Sequence, residues 1–388
     1  MEAETTTDTD QTRLWDRAGG WSGVLTAVAL LALTRLGQVL MIWWLNAATA
    51  EPRPVWERLL VWDAGWFLRV AMDGYPDTYT YDANGVLQGN ELAFFPVYPM
   101  LIRGGAALGI PPSTAAIAVA WIASVGAAVG LHLLGTSLYN KRAGWALVAI
   151  CCSAPVSVVM SMAYSESIYL ALVAGMLVAA HRKVWWAAGL LGLLTALSRP
   201  TGAAAAVALA VAAFLAVRES RREMWKPITA AAVALAGVPL YLGWVALRIG
   251  EPTAWFKIQT AGWGTSFDYG SSTLSFLNTT LRTGDGWIPM SVALILLVAL
   301  AAAGVALFQR PWLPLAVYGV VAMVLVYGQA GFYHSKPRLL LPVLLTLLPA
   351  VVAAARARPR VAVLSILAWA AFGLWYGAYL ITVWPFTL

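Results

Sequence analysis

Charge is scarce in this chain. Asp, Glu, Lys and Arg make up 11% of its 388 residues, against roughly 25% in soluble globular domains. So few charges cannot build a solvated surface, which excludes a cytosolic enzyme and a disordered chain together. Cysteine is almost missing: Cys151 and Cys152 sit side by side in an apolar run, so no disulfide framework exists. The few histidines, His132, His181 and His334, do not fall at metal-ligand spacing with cysteines or carboxylates. Neither a P-loop nor a G-x-G-x-x-G fingerprint is present. What abounds is apolar surface, with 61% hydrophobic residues and a mean hydropathy of +0.73. That composition specifies an all-α, polytopic transmembrane helical bundle. The net charge of +7 reports basic inner-face loops and membrane lipids as neighbours, with no nucleic-acid partner.

Residues 1–21 form a polar tail carrying Glu2, Glu4, Asp8 and Asp10. The tail lacks the basic start and short apolar core of a secretory signal, so the first span is expected to be retained. Residues 22–388 read as one membrane domain. At about 20 apolar residues per span, the candidates are 22–46, 114–138, 143–163, 165–181, 184–198, 201–217, 227–248, 287–308, 312–330, 339–355 and 361–384, about 11 in all. With the tail in the cytoplasm, 14 of the 25 basic residues fall in short inner segments, from Arg13 and Arg17 to Arg356, Arg358 and Arg360. This obeys the positive-inside rule and puts the C-terminus outside. The outer face then holds the two long segments, 47–113 and 249–286. Runs 56–72 and 92–108 read as short amphipathic helices at the membrane surface. No internal repeat suggests a transporter's two halves.

The chemistry-bearing residues gather on that outer side. Asp63 sits between Trp62 and Trp66, and a carboxylate desolvated by indoles near a bilayer makes a better base. A solvated aspartate in an aromatic belt is an equally good reading of the same residues. Ala93-Phe94-Phe95-Pro96-Val97-Tyr98-Pro99 reads as a rigid, non-helical interfacial turn that could wall a groove. Glu166 is the sole carboxylate between Glu91 and Glu219. It is either a helix-start charge capped by Ser165 or a used, paired group. Arg199 lies between two very apolar segments and needs a partner or an anionic ligand, with Glu166 one possibility. His334, Lys336 and Arg338 crowd an outer turn that the charge rule would leave neutral, which suits a phosphate or pyrophosphate. Lipid head groups are the plainer occupants. His132 and His181 read as ordinary helix-end residues.

Together these stretches resemble the GPI mannosyltransferase 2 (PIG-V-like) family. The resemblance runs through Trp62-Asp63-Ala64-Gly65-Trp66-Phe67-Leu68-Arg69-Val70-Ala71-Met72-Asp73-Gly74-Tyr75, then Ala93 to Pro99, Tyr164-Ser165-Glu166-Ser167 and Ser198-Arg199-Pro200-Thr201-Gly202. The order along the chain agrees over roughly residues 30–345, and His334 to Arg338 looks like the late external motif of related bacterial proteins. The family belongs to the GT-C superfamily of integral-membrane glycosyltransferases. The resemblance implies a polyprenyl-phosphate-sugar donor, typically mannose, and inverting, usually metal-independent transfer on the outer face. An acidic residue of the first external loop would serve as base, a position that Asp63 matches. Family members often carry His where this chain has Trp66. The ratio of 20 Arg to five Lys points to a GC-rich bacterial genome, so a GPI precursor is not the expected acceptor.

The expected site therefore has Asp63 as base and Arg338, Lys336, His334 and Arg199 around the donor phosphate. Trp62, Trp66, Arg69, Tyr164 and Glu166 would contact substrate, with Glu166 the competing carboxylate. Segment 249–286, with Trp255 and Trp263, would act as a lid. No resident cofactor is expected, because the lipid-linked sugar phosphate is a co-substrate; a divalent metal stays open. The acceptor would be a glycolipid, glycan or protein. The rival is a transporter or flippase of lipid-linked glycans, which needs polar groups within the spans, where Arg35 is the obvious one. The expected location is a bacterial plasma membrane, with the site on its extracytoplasmic face.

Overall fold

A computed structural model of the protein describes residues 14–384 and Phe386. The acidic tail residues Glu2, Glu4, Asp8 and Asp10, and Arg13, lie outside the described residues. The chain is helical nearly throughout. The first half runs α1 Gly20–Ala47, α2 Val55–Arg58, α3 Asp63–Asp73, α4 Val97–Ala107, α5 Pro112–Leu138, α6 Lys141–Cys152, α7 Glu166–His181 and α8 Trp185–Ala196. The second runs α9 Gly202–Glu219, α10 Trp225–Ile249, α11 Ala254–Trp263, α12 Ser271–Thr283, α13 Trp287–Phe308, α14 Leu313–Gly328, α15 Lys336–Leu340, α16 Leu348–Arg356 and α17 Pro359–Thr382. A two-stranded hairpin, β1 Thr80–Tyr81 and β2 Leu87–Gln88, pairs antiparallel in the first outer segment.

Among the described residues six helices, α1, α5, α9, α10, α13 and α17, are long and apolar enough to cross a membrane, or seven if the pair bent by 77° around Pro342 counts as one span. The count of about 11 spans is therefore not matched. Helices α7, α8 and α14 are apolar but only 16, 12 and 16 residues long, or about 18–24 Å at 1.5 Å per residue. A hydrocarbon core is about 30 Å thick. The expected span 143–163 breaks after Cys152, and the next stretch holds only a 3₁₀ turn, Ser157–Met160. The expected span 339–355 is likewise broken. The surface helices 56–72 and 92–108 exist in outline as α2, α3 and α4. The Ala93–Pro99 run is not wholly non-helical as expected, because Pro96 caps α4 and Val97–Pro99 form its first turn, where a missing N–H costs nothing.

Small residues set the packing distances. A Cβ on Gly192 would stand 2.7 Å from Ala234 Cβ, one on Gly189 2.9 Å from Ala230 Cα, and one on Gly237 2.5 Å from Ala196 Cβ. Helices α8 and α10 therefore meet along their backbones, as membrane helices do where side chains are short. Segment 153–165 is buried throughout despite its irregular backbone. Buried non-helical carbonyls need internal donors, and Arg35 of α1 supplies them. Its guanidinium donates to Ser157 O at 2.6 Å, to Ser161 Oγ at 3.0 Å and to Cys152 O. Trp121 Nε1 adds Ser161 O at 3.0 Å, and Ser124 Oγ adds Met160 O at 3.0 Å. This segment leads directly into Tyr164 and Glu166, so Arg35 is a scaffold residue that anchors the approach to the site.

Candidate active site

Asp63 is the first residue of α3, and Trp62 before it has φ 55° and ψ −110°. A bulky side chain in that region carries about 1–3 kcal/mol of strain. The strained corner turns the chain from α2 into α3 and points the Asp63 backbone N–H at Tyr164 Oη, 3.2 Å away. Ala163 N–H donates to Leu59 O at 2.9 Å, tying the same corner to the irregular segment. Both Asp63 and Glu166 open their helices, where the helix dipole favours a carboxylate.

Four separate stretches then converge. Arg338 of α15, 275 positions from Asp63, donates from Nη1 to Asp63 Oδ2 at 2.6 Å. Its Nε lies 3.4 Å from Glu166 Oε1. Arg199, in the turn between α8 and α9, places Nη1 2.5 Å from the same Glu166 oxygen. The Arg338 guanidinium also sits 5.2 Å from the Tyr164 ring centroid, within cation–π range. Arg199 Nη1 and Arg338 Nε meet Glu166 as ion pairs but lack hydrogen-bond alignment. Both atoms are buried against that carboxylate.

The two carboxylates differ in access. The Glu166 side chain is 3% exposed and faces two arginines, whereas Asp63 is 21% exposed and faces one. Glu166 is fixed in a buried charge cluster; Asp63 lies at the edge of open space. The desolvating neighbour expected for Asp63 was indole. The structure puts the Arg338 guanidinium against its Oδ2.

That space is a cavity of about 490 Å³, within the ordinary range of small-molecule sites. Asp63, Glu166, Arg199, Lys336 and Arg338 all line it. Lys336 is nonetheless largely committed: its Nζ donates to Val326 O at 2.8 Å and Gln329 O at 2.6 Å, around the C-terminal end of α14. Its charge reaches the cavity while two of its three donors serve the fold. His334 does not line the cavity, and its ring packs on Phe332 at 5.3 Å and against Tyr333 at 5.1 Å.

Trp62, Trp66, Arg69 and Tyr164 also stand behind the wall rather than in it. Trp66 stacks on Phe94 at 5.8 Å and meets Trp263 edge-on at 5.4 Å, and these two partners do line the cavity. Arg69 lies 4.0 Å over the Trp66 ring and pairs with Glu91 at 2.7 Å. So Trp66 and Arg69 brace the aromatic wall. Sequence reasoning did not single out Phe67, Gln259, Thr265 or Ser266, which are lining residues. The i, i+4, i+8 spacing of Trp255, Gln259 and Trp263 was the available signal for part of that face.

Segment 249–286 closes the cavity with α11. Gly89 of the hairpin segment and Gly262 of α11 allow this: a Cβ on Gly89 would lie 2.6 Å from Gly262 Cα and 2.8 Å from the Trp263 ring. At the start of the segment, Glu251 accepts hydrogen bonds from Lys257, Thr253 and Tyr79, which hold its carboxyl down to about 2. Arg248 Nη2 reaches Asp77 at 2.7 Å and Tyr75 O at 2.7 Å. These contacts join segments 47–113 and 249–286. Among the described residues no three His, Cys, Asp or Glu side chains gather in a metal-binding set.

No protein-family model matches the chain, and no curated protein matches it. Among solved structures, the oligosaccharyltransferase of Archaeoglobus fulgidus in its apo form is similar at 13% identity and a TM-score of 0.47, over 92% of this chain and 55% of that one. The same archaeal protein in complex with Zn and sulfate is similar at 15% identity and a TM-score of 0.46, over 91% and 53%. The chain spans about half the length of these structures.

Proposed function

We propose that the protein is a membrane glycosyltransferase that moves a sugar from a polyprenyl-phosphate-sugar donor to an acceptor hydroxyl. The observation that carries this reading is the cavity-lining cluster in which Arg338 spans Asp63 and Glu166 while Arg199 holds Glu166. It sets one accessible carboxylate beside two guanidinium groups. A glycosyl phosphate needs that pairing: a base for the incoming hydroxyl and a cationic seat for the outgoing phosphate. The motif resemblance makes mannose the expected sugar, and the bias of basic residues toward the opposite loops favours the extracytoplasmic face.

In this mechanism Asp63 takes the proton of the acceptor hydroxyl as its oxygen attacks the anomeric carbon. The bond between that carbon and the phosphate oxygen breaks, and its electron pair leaves on the polyprenyl phosphate. Attack from the face opposite the phosphate inverts the anomeric centre. Negative charge grows on the leaving phosphate, where Arg338 and Arg199 stabilise it. Arg338 must turn part of its fork from Asp63 to the donor, so phosphate binding frees the base. Glu166, buried and doubly paired, holds the arginines in place.

Transport of a lipid-linked glycan is the rival activity. It needs polar groups within the spans, and Arg35, the obvious one, is occupied by the carbonyls of Cys152 and Ser157. The deciding experiment incubates purified protein with labelled polyprenyl-phosphate-mannose and candidate glycolipid, glycan and peptide acceptors. Transfer of label to an acceptor supports the enzyme. Movement of the donor between leaflets of a vesicle without any transfer supports the transporter.

A further inference from the structure

Helix α11 carries Trp255, Gln259 and Trp263 at successive one-turn intervals, and all three line the cavity opposite no charged partner of their own. A spacing of i, i+4, i+8 puts them in one row along a helix face. Two features of the row are chemically unusual. The Trp255 indole N–H is buried and makes no hydrogen bond within the protein, although the residue is only 9% exposed. A buried donor without an acceptor is rare in a folded chain and calls for a partner. The Gln259 amide, in contrast, is anchored: its Nε2 donates to Ala93 O at 3.1 Å, which leaves its carbonyl oxygen as an acceptor.

The rings are held as firmly. Trp255 packs edge-on against Phe95 at 6.1 Å and Phe256 at 5.2 Å. Trp263 is fixed between Phe94 and Trp66, each 5.4 Å away. The row therefore lines the cavity with rigid indole and amide side chains, and the Trp255 N–H, enclosed in the wall, has no acceptor within the protein. A pyranose has the matching pattern, with C–H groups on its faces and hydroxyls around its rim. A lipid tail would leave the donor unused, and a peptide, whose carbonyls could accept it, lacks a ring face of C–H groups to lay on the indole.

We infer that the Trp255–Gln259–Trp263 row is a pyranose-binding subsite, with Trp263 under the sugar face and Trp255 Nε1–H and Gln259 reading hydroxyls. The row belongs to the cavity already described, so its role rests on the glycosyl-transfer reading and extends it from phosphate chemistry to sugar recognition. Two sources supply a pyranose here: the sugar being transferred and a glycan acceptor. Both present the same chemistry to the row.

The test uses full-length protein in detergent and two probes: methyl α-D-mannopyranoside, followed by saturation-transfer NMR, and polyprenyl phosphate, which carries no sugar. Trp255→Phe keeps an aromatic ring against Phe95 and Phe256 but removes the N–H. One neutral hydrogen bond is worth about tenfold in affinity. The expected result is glycoside binding weakened about tenfold in Trp255→Phe, with polyprenyl phosphate affinity unchanged. Trp263→Ala should weaken the glycoside as well, through loss of stacking.

Equal glycoside affinity in wild type and Trp255→Phe overturns the subsite. So does wild-type protein that binds polyprenyl phosphate but no glycoside. Trp255-dependent glycoside binding in a protein that transfers no sugar upholds the subsite and overturns the enzyme. Adding saturating polyprenyl-phosphate-mannose separates the two sources. Displacement of the glycoside assigns the row to the transferred sugar, and co-binding assigns it to the acceptor.

Discussion

Replacing Arg338 perturbs three interactions at once. Arg338→Ala removes the 2.6 Å bond to Asp63, the 3.4 Å approach to Glu166 and the guanidinium over Tyr164. Breaking a fully buried ion pair from one side costs about 3–5 kcal/mol. Here the loss should be smaller, because Glu166 keeps Arg199 at 2.5 Å and Asp63 is 21% exposed and can be hydrated. A destabilisation of about 1–3 kcal/mol follows, readable as a lower melting temperature in detergent. The catalytic loss should be larger than the structural one. Without Arg338 the leaving phosphate develops its charge beside Arg199 and a partly committed Lys336, and removing one preorganised donor of this kind lowers kcat about 10²–10³-fold. Arg338→Lys keeps the charge but not the planar fork, so one ammonium cannot serve Asp63, Glu166 and a phosphate together. Its activity should fall between wild type and alanine, with the donor KM raised. The assay is steady-state transfer as polyprenyl-phosphate-mannose is varied for all three proteins. Unchanged kinetics in Arg338→Ala would refute the phosphate assignment and shift it to Arg199.

The scaffold and the outer loops make further predictions. Arg35→Leu should leave the carbonyls of Cys152 and Ser157 without their donor and lower stability by on the order of 3 kcal/mol, measured as thermal aggregation in detergent; a stable variant would deny Arg35 its scaffold role. Gly89→Ala should push α11 away and displace Trp263, because the new Cβ meets Gly262 Cα at 2.6 Å, an overpacking of about 1–3 kcal/mol; wild-type tryptophan fluorescence and substrate KM together would contradict it. Single cysteines at Asn84 and Ser220, in a chain with Cys151 and Cys152 replaced, should label from opposite sides of the membrane, and labelling from one side for both would overturn the orientation.

The sequence exposed individual residues better than their partners. Glu166 and Arg199 stood out as isolated charges in apolar surroundings, Asp63 by its flanking indoles, and Lys336 and Arg338 as a cationic cluster where the charge rule expects none; all five line one cavity. That Arg338 meets Asp63 was not legible, since the two are 275 positions apart and no local pattern encodes the meeting. His334 shared the charge logic of its neighbours, yet aromatic packing on Phe332 and Tyr333 turns it elsewhere. The count of about 11 spans is not confirmed, for a physical reason. Hydropathy marks apolar runs whether or not their backbone is helical, and segment 153–165 is apolar, buried and irregular because Arg35, Trp121 and Ser124 satisfy its carbonyls. Segment 249–286 was readable as an aromatic stretch, but its docking depends on a glycine pair, Gly89 and Gly262, from distant segments.

The central claim is that Asp63 is the base and Glu166 the anchor of the cationic pair. Its most direct measurement is single-turnover transfer of labelled mannose by wild type, Asp63→Asn and Glu166→Gln, each saturated with polyprenyl-phosphate-mannose. Asp63→Asn should fold and bind donor while the transfer rate falls by at least about 10²-fold. Glu166→Gln should weaken donor binding and stability first, because it releases Arg199 and Arg338, and retain measurable transfer once saturated. Near-full transfer by Asp63→Asn together with complete loss in Glu166→Gln would contradict the account and name Glu166 as the base.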